Sequence, residues 1–261
     1  MFDWVAQWDK ELATVQFCLM AVAPILWMIQ FGGSTRNRIP IDHSATDPRA
    51  YRLAAFVGLV SLATSFLVGR SMVDMPPIYH DEYSYVFQAK TLLSGAFSFP
   101  GHPTHPELFD QMHVLNEGRM ASRYYPGTGI WLAPFIAIGH PYWGHWLAGA
   151  VASVLVFWTG YELGRLRVAT VAGLTFAVSP GVALFGNLLL AHQPTLVGLT
   201  LFLWAFVKWQ RTRSAGFAFL AGSGLSYAML CRPATAAGFG FPFGCAFLYW
   251  VIAGREDDRP T

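Results

Sequence analysis

The sequence predicts an all-α polytopic membrane protein: a helical bundle with one large external loop that bears interfacial helices. Three observations lead there. Hydrophobic residues make up 54% of the chain and charged residues only 12%, about half the ~25% charged share of ordinary globular proteins. Aromatic residues reach 16%, with ten Trp and ten Tyr, types that settle at the membrane–water boundary. Finally, apolar runs recur near the roughly 20 residues that a helix needs to cross a bilayer.

Seven such runs follow in order: 12–31, 53–69, 145–163, 168–186, 195–209, 215–230 and 235–253. The stretch "GTGIWLAPFIAIG" at 127–139 is too short to cross and reads as an interfacial or re-entrant helix after the break at Pro126 and Gly127. Basic residues fall in every second connection. Arg36, Arg38, Arg49 and Arg52 lie between the first two runs, Arg165 and Arg167 between the third and fourth, Lys208, Arg211 and Arg213 between the fifth and sixth, and Arg255 and Arg259 after the seventh. Those connections are therefore expected to be cytoplasmic. The protein is expected in the plasma (inner) membrane as a multi-pass chain, with its active loop on the periplasmic or extracellular side. This gives an N-terminal span and cytoplasmic loop over 1–52, a transmembrane module over 53–253 with external loop 71–126, and a cytoplasmic tail over 254–261. Glu162, at the cytoplasmic end of its run, is expected to pair with Arg165 or Arg167. A formal charge of +2 without a basic run argues against nucleic acid as a partner. Cys18, Cys231 and Cys245 lie in or beside apolar stretches and read as small core residues. No basic segment precedes the first apolar run, so no cleavable signal is expected there.

The external loop concentrates chemistry. It holds six of the fifteen acids and four of the eight histidines, far more than a tether needs, and loops of this length usually carry function. At its start stands "HDEYSYVFQAKTLLSG", with His80, Asp81 and Glu82 in a row. As local structure, Asp81 would cap a helix, Glu82 would favour the positive helix end, and Gly95 would close it. Tyr85, Gln88, Ala89 and Leu92 recur at helical spacing, a face that can lie on the bilayer surface. As chemistry, a carboxylate here sits where a lipid phosphate lies, and can act as base toward an acceptor hydroxyl. Lys90, Arg119, Arg123 and Arg232 are the cations available to receive a departing phosphate's charge.

"HDEYSYVFQAKTLLSG", "RYYPGTGIWLAPFIAIG", "YELGRLR", "AVSPGVALFGNLLLAHQPT" and "GSGLSYAMLCRP" together resemble the GT-C glycosyltransferases, over about 53–253. These are polytopic enzymes that use polyprenyl-phosphate sugars, such as protein O-mannosyltransferases and lipid A aminoarabinose transferases. The resemblance implies a GT-C-like helical bundle in the cell envelope and transfer of a sugar to an acceptor on the external face. It makes Asp81 the catalytic base, with Glu82 beside it to position the acceptor or a metal. His80, Tyr85, Lys90, Arg119, Arg123, Tyr125, His192 and Arg232 are then the expected substrate-binding set. Two departures stand out. Where many members carry a second external acid, this chain has "AHQPT", with His192 in the comparable place. Where members usually continue through further spans, it ends at "GREDDRPT", as a minimal or truncated form, or one completed by a partner membrane subunit. The alternative function is a non-catalytic lipid-binding or scaffolding subunit of the same fold.

No cofactor is firmly implied. The segment 101–113 gathers His102, His105, Glu107, Asp110 and His113, which suit a divalent metal ion chemically, but the spacing matches no closed zinc pattern and Pro103 and Pro106 stiffen it. No Walker or Rossmann fingerprint is present.

Overall fold

The computed structural model describes residues 47–72 and 77–257, so the expected span 12–31 lies outside the described residues. Two compact units divide the chain: one is Thr46–Ala236, and the described residues from 237 onward belong to the other.

The first unit opens with α1, Pro48–Arg70, over the expected 53–69 run. Its start is set by Asp47, whose carboxylate accepts from the Arg49 amide at 2.8 Å, and by Pro48, whose fixed φ suits a first helical position. The long segment after α1 then folds rather than tethers. It carries α2, His80–Leu93, the strands β1, Phe99–Pro100, β2, Val114–Asn116, and β3, Arg119–Ser122, with a short 3-10 turn at Pro106–Phe109. The strands form an antiparallel sheet in the order β1-β3-β2. This sheet was not expected from the sequence. It is built around a tight turn at Glu117–Gly118, where Gly118 takes φ +75°, a backbone that glycine adopts without steric cost. Helix α3, Gly127–Ala137, follows Pro126 as anticipated.

Helix α4 runs over Pro141–Ala177 but breaks at Gly164 (φ −151°) and Arg165 (φ 66°, ψ −160°). Its two arms fold back on each other. A Cβ on Gly160 would sit 2.9 Å from Ala169 Cα, and one on Gly173 would sit 3.0 Å from Phe157 Cβ, a pairing that runs antiparallel. The break falls in the basic stretch between the expected runs 145–163 and 168–186. The second of those runs is not one helix, however. It ends at Ala177, and Pro180, which cannot donate to a helix already under way, opens a separate short α5, Pro180–Phe185. Then come α6, His192–Thr212, and α7, Ala215–Cys231. Among the described residues, α1 and α4 are the two helices long and apolar enough to cross a membrane.

Packing follows from small residues. Ala50, Ala54 and Val57 of α1 meet Phe157, Tyr161, Ala169 and Ala177 of α4 in one core cluster. Gly198 of α6 and Gly224 of α7 bring their helices so close that a Cβ on either would lie 2.7 Å from the other's backbone, the close approach that small residues permit. Glu162 does not pair with Arg165 or Arg167. It is buried against α6, where Lys208 Nζ reaches it at 2.6 Å and Arg211 Nη1 at 3.0 Å. The last helix, α8, spans Pro233–Asp257; within the second unit the rings of Phe239 and Phe243 lie 5.6 Å apart.

Candidate functional site

Asp81 and Glu82 are neighbours with opposite fates, because successive residues on a helix point about 100° apart. Glu82 turns inward and is 1% exposed. Its Oε1 accepts from the amides of Ile78 (2.9 Å) and Tyr79 (3.1 Å), and its Oε2 from the amide of Leu189 (2.7 Å), 107 residues away. Both oxygens are thus engaged by backbone donors, which compensates the cost of burying the charge. The expected role of positioning an acceptor or a metal does not fit this carboxylate: it stitches the start of α2 to the segment joining α5 and α6. Glu82 reaches back to the N-cap, Tyr79, so Asp81 is not the helix cap that the sequence suggested.

Asp81 is instead free to face outward, its side chain 41% exposed, with His113 Nε2 3.1 Å from its Oδ1. The Tyr124 phenol lies beside the same carboxylate, and Tyr85 stacks on Tyr124 with ring centroids 4.6 Å apart. Burial first, then Asp81 close by, pushes the Tyr124 phenol above its ordinary range. Burial first, then Tyr124 and Asp81, does the same to Tyr85. Both phenols therefore stay protonated and available as donors. Tyr85 and Ala89 bury against Leu132, Leu189 and Ala191, and Gln88 bonds to the Tyr124 carbonyl and the Gly129 amide. The helix face that could have lain on a bilayer is therefore covered by α3 and the strand region.

Arg232 approaches the cluster from the break between α7 and α8. Its Nη1 donates to His192 Nε2 at 2.5 Å, so the imidazole accepts there and carries its proton on Nδ1. The ring of His192 stacks on Phe185 at 4.2 Å. The charge of Arg232 acts on both phenols, which puts the cation within electrostatic reach of the Asp81 side. Of the expected set, then, Asp81, Tyr85, His192 and Arg232 come together, with Arg123 next to Tyr124 and near enough to influence it. His80 and Lys90 are exposed, Arg119 is occupied with Ser98 (Nε to Oγ, 2.8 Å), and Tyr125 is 56% exposed. His113 and Tyr124 were not among the expected site residues.

In the histidine-rich segment His102 and His105 stay stacked on each other, 6.1 Å between centroids, while the other candidates turn to separate partners. His105 pairs with Glu107, Asp110 accepts from Asn116, His102 stacks on Phe109, and His113 goes to Asp81. Among the described residues no group of three or more His, Cys, Asp or Glu is placed to hold a metal ion. A cavity of about 340 Å³ opens near the end of α1, lined by Phe66, Arg70, His140, Trp143, Trp146 and the inward Glu82 among others. Asp81, His113, His192 and Arg232 do not line it, so the charged cluster and not the cavity defines the candidate site. Comparison with protein-family models, curated proteins and solved structures finds no match.

Proposed function

We propose that the protein is a multi-pass glycosyltransferase of the plasma membrane, GT-C-like, that moves a sugar from a polyprenyl-phosphate donor to an acceptor on the external face. Asp81 accepts the acceptor's hydroxyl proton. The acceptor oxygen bonds to the anomeric carbon as the carbon–phosphate oxygen bond breaks, and the electron pair leaves with the polyprenyl phosphate. The anomeric centre inverts. Arg232 and Arg123 receive the phosphate's charge, and the neutral His192 holds the Arg232 guanidinium in place. The observation that carries this reading is that a half-exposed carboxylate and a guanidinium from a helix break about 150 residues away in sequence act on the same two phenols, Tyr85 and Tyr124, which puts a base and an anion receptor in one neighbourhood. Asp81→Asn keeps the shape and removes the basicity. Transfer of labelled sugar from polyprenyl-phosphate mannose or glucose in nanodiscs is expected to fall about 10²–10⁴-fold, the usual contribution of a general base; unchanged transfer rejects the assignment.

The second reading, a lipid-binding or scaffolding subunit, draws support from the aromatic cavity that bypasses Asp81. The chain purified without any partner separates the two: sugar transfer by it alone dismisses the subunit.

A further inference from the structure

We infer that His113 is a positioning residue for Asp81: its Nε2–H holds one carboxylate oxygen and leaves the other to take the acceptor's proton. The inference rests on the proposed glycosyl transfer. An aspartate at an exposed helix start can turn about its side-chain bonds, and a base must be held within hydrogen-bond reach of the proton it removes. His113 Nε2 lies 3.1 Å from Asp81 Oδ1, within ion-pair distance, and a contact there restricts that rotation.

Two features argue that this contact is built rather than incidental. His113 takes φ +68°, a left-handed backbone that residues with a side chain rarely adopt and that is sustained only where the surroundings over-determine it. Gly takes this backbone most readily, and Asn, Asp and His are the enriched types among the other residues. Here an imidazole occupies it, and its carbonyl is gripped twice, by Ser84 Oγ at 2.7 Å and by the Arg123 amide at 3.0 Å. Ser84 lies on α2 itself, one helical turn after Asp81, and Ser122 Oγ backs it at 2.9 Å. The ring is braced against Tyr124, 5.4 Å between centroids. One helix thus carries the base and also clamps the backbone that aims a donor at it.

The test compares two substitutions whose stability and chemistry rank in opposite orders. Asn tolerates the left-handed backbone but is too short to reach Asp81; Gln fits that backbone less well but can extend an amide N–H toward the carboxylate. Labelled-sugar transfer from polyprenyl-phosphate mannose and glucose is measured in nanodiscs beside thermal unfolding. His113→Asn is expected to unfold like the wild type, to lose turnover about 10–100-fold, as for a misplaced catalytic group, and to keep the donor KM. His113→Gln is expected to unfold earlier yet regain much of the turnover. Activity that follows stability, with Asn above Gln, overturns the inference, as does wild-type turnover in His113→Asn while Asp81→Asn is inactive. If Asp81→Asn is as active as the wild type, or the wild type transfers from neither donor, the underlying glycosyl-transfer reading fails instead.

Discussion

Replacing Glu82 by Gln perturbs the most deeply placed carboxylate of the loop by one atom. In the wild type, three backbone N–H groups point at two anionic oxygens, at 2.7–3.1 Å. In the variant one oxygen becomes an NH2 group, so at least one buried amide faces a donor. Leaving a buried donor unmatched costs about 1–3 kcal/mol, and the surviving bonds weaken from charge-assisted to neutral, adding about 1 kcal/mol. The sum is about 2–4 kcal/mol, or roughly 5–15 °C in the unfolding midpoint of a chain of this size. Unfolding in detergent, followed by tryptophan fluorescence, reads the shift, and hydrogen exchange at 187–191 should rise because the Leu189 amide loses its acceptor. Asp81→Asn serves as the contrast: half exposed, it should change stability by no more than about 0.5 kcal/mol. If Glu82→Gln melts with the wild type and Leu189 stays protected, the role given to Glu82 is wrong.

Gly224→Ala should be more damaging than an exposed Gly→Ala change, because the new Cβ meets the Phe202 amide nitrogen at 2.7 Å and the Gly198 carbonyl at 2.8 Å. A loss of about 1–3 kcal/mol is expected, whereas Gly222→Ala, with open space around it, should cost nothing measurable in the same unfolding assay. For sidedness, Leu108→Cys and Arg213→Cys are compared in a background without Cys18, Cys231 and Cys245. An impermeant maleimide applied to intact cells should label position 108 and spare position 213; the reverse result places the loop in the cytoplasm.

Much of the arrangement was legible because it depends on local chemistry. Pro126 announced a helix start, Gly95 announced a stop, and the basic stretch around Arg165 marked a reversal. Asp81, His192 and Arg232 stood out as polar groups bordering apolar runs. The missing members needed pairing across distance. His113 reaches Asp81 only because β2 and β3 fold on the Glu117–Gly118 turn, and "VLNEGRMAS" carries that hairpin signal faintly, in strands of three and four residues. The pairing of Glu82 with the Tyr79 amide could have been read from its place three residues after the N-cap. Its bond to Leu189 could not, since nothing in residues 78–95 specifies a partner 107 positions on. The break at Ser179–Pro180 was visible as a proline and was outweighed by the apolar run around it.

The hairpin in α4 also settles a matter of parity. Because residues 141–163 go out and 166–177 come back, everything from Pro180 to His192 is delivered to the end of the bundle from which the chain set out at Pro141. A straight rod in that place would strand His192, and Arg232 with it, at the opposite pole from Asp81. Two residues, Gly164 and Arg165, thereby decide whether acid and guanidinium ever share a neighbourhood.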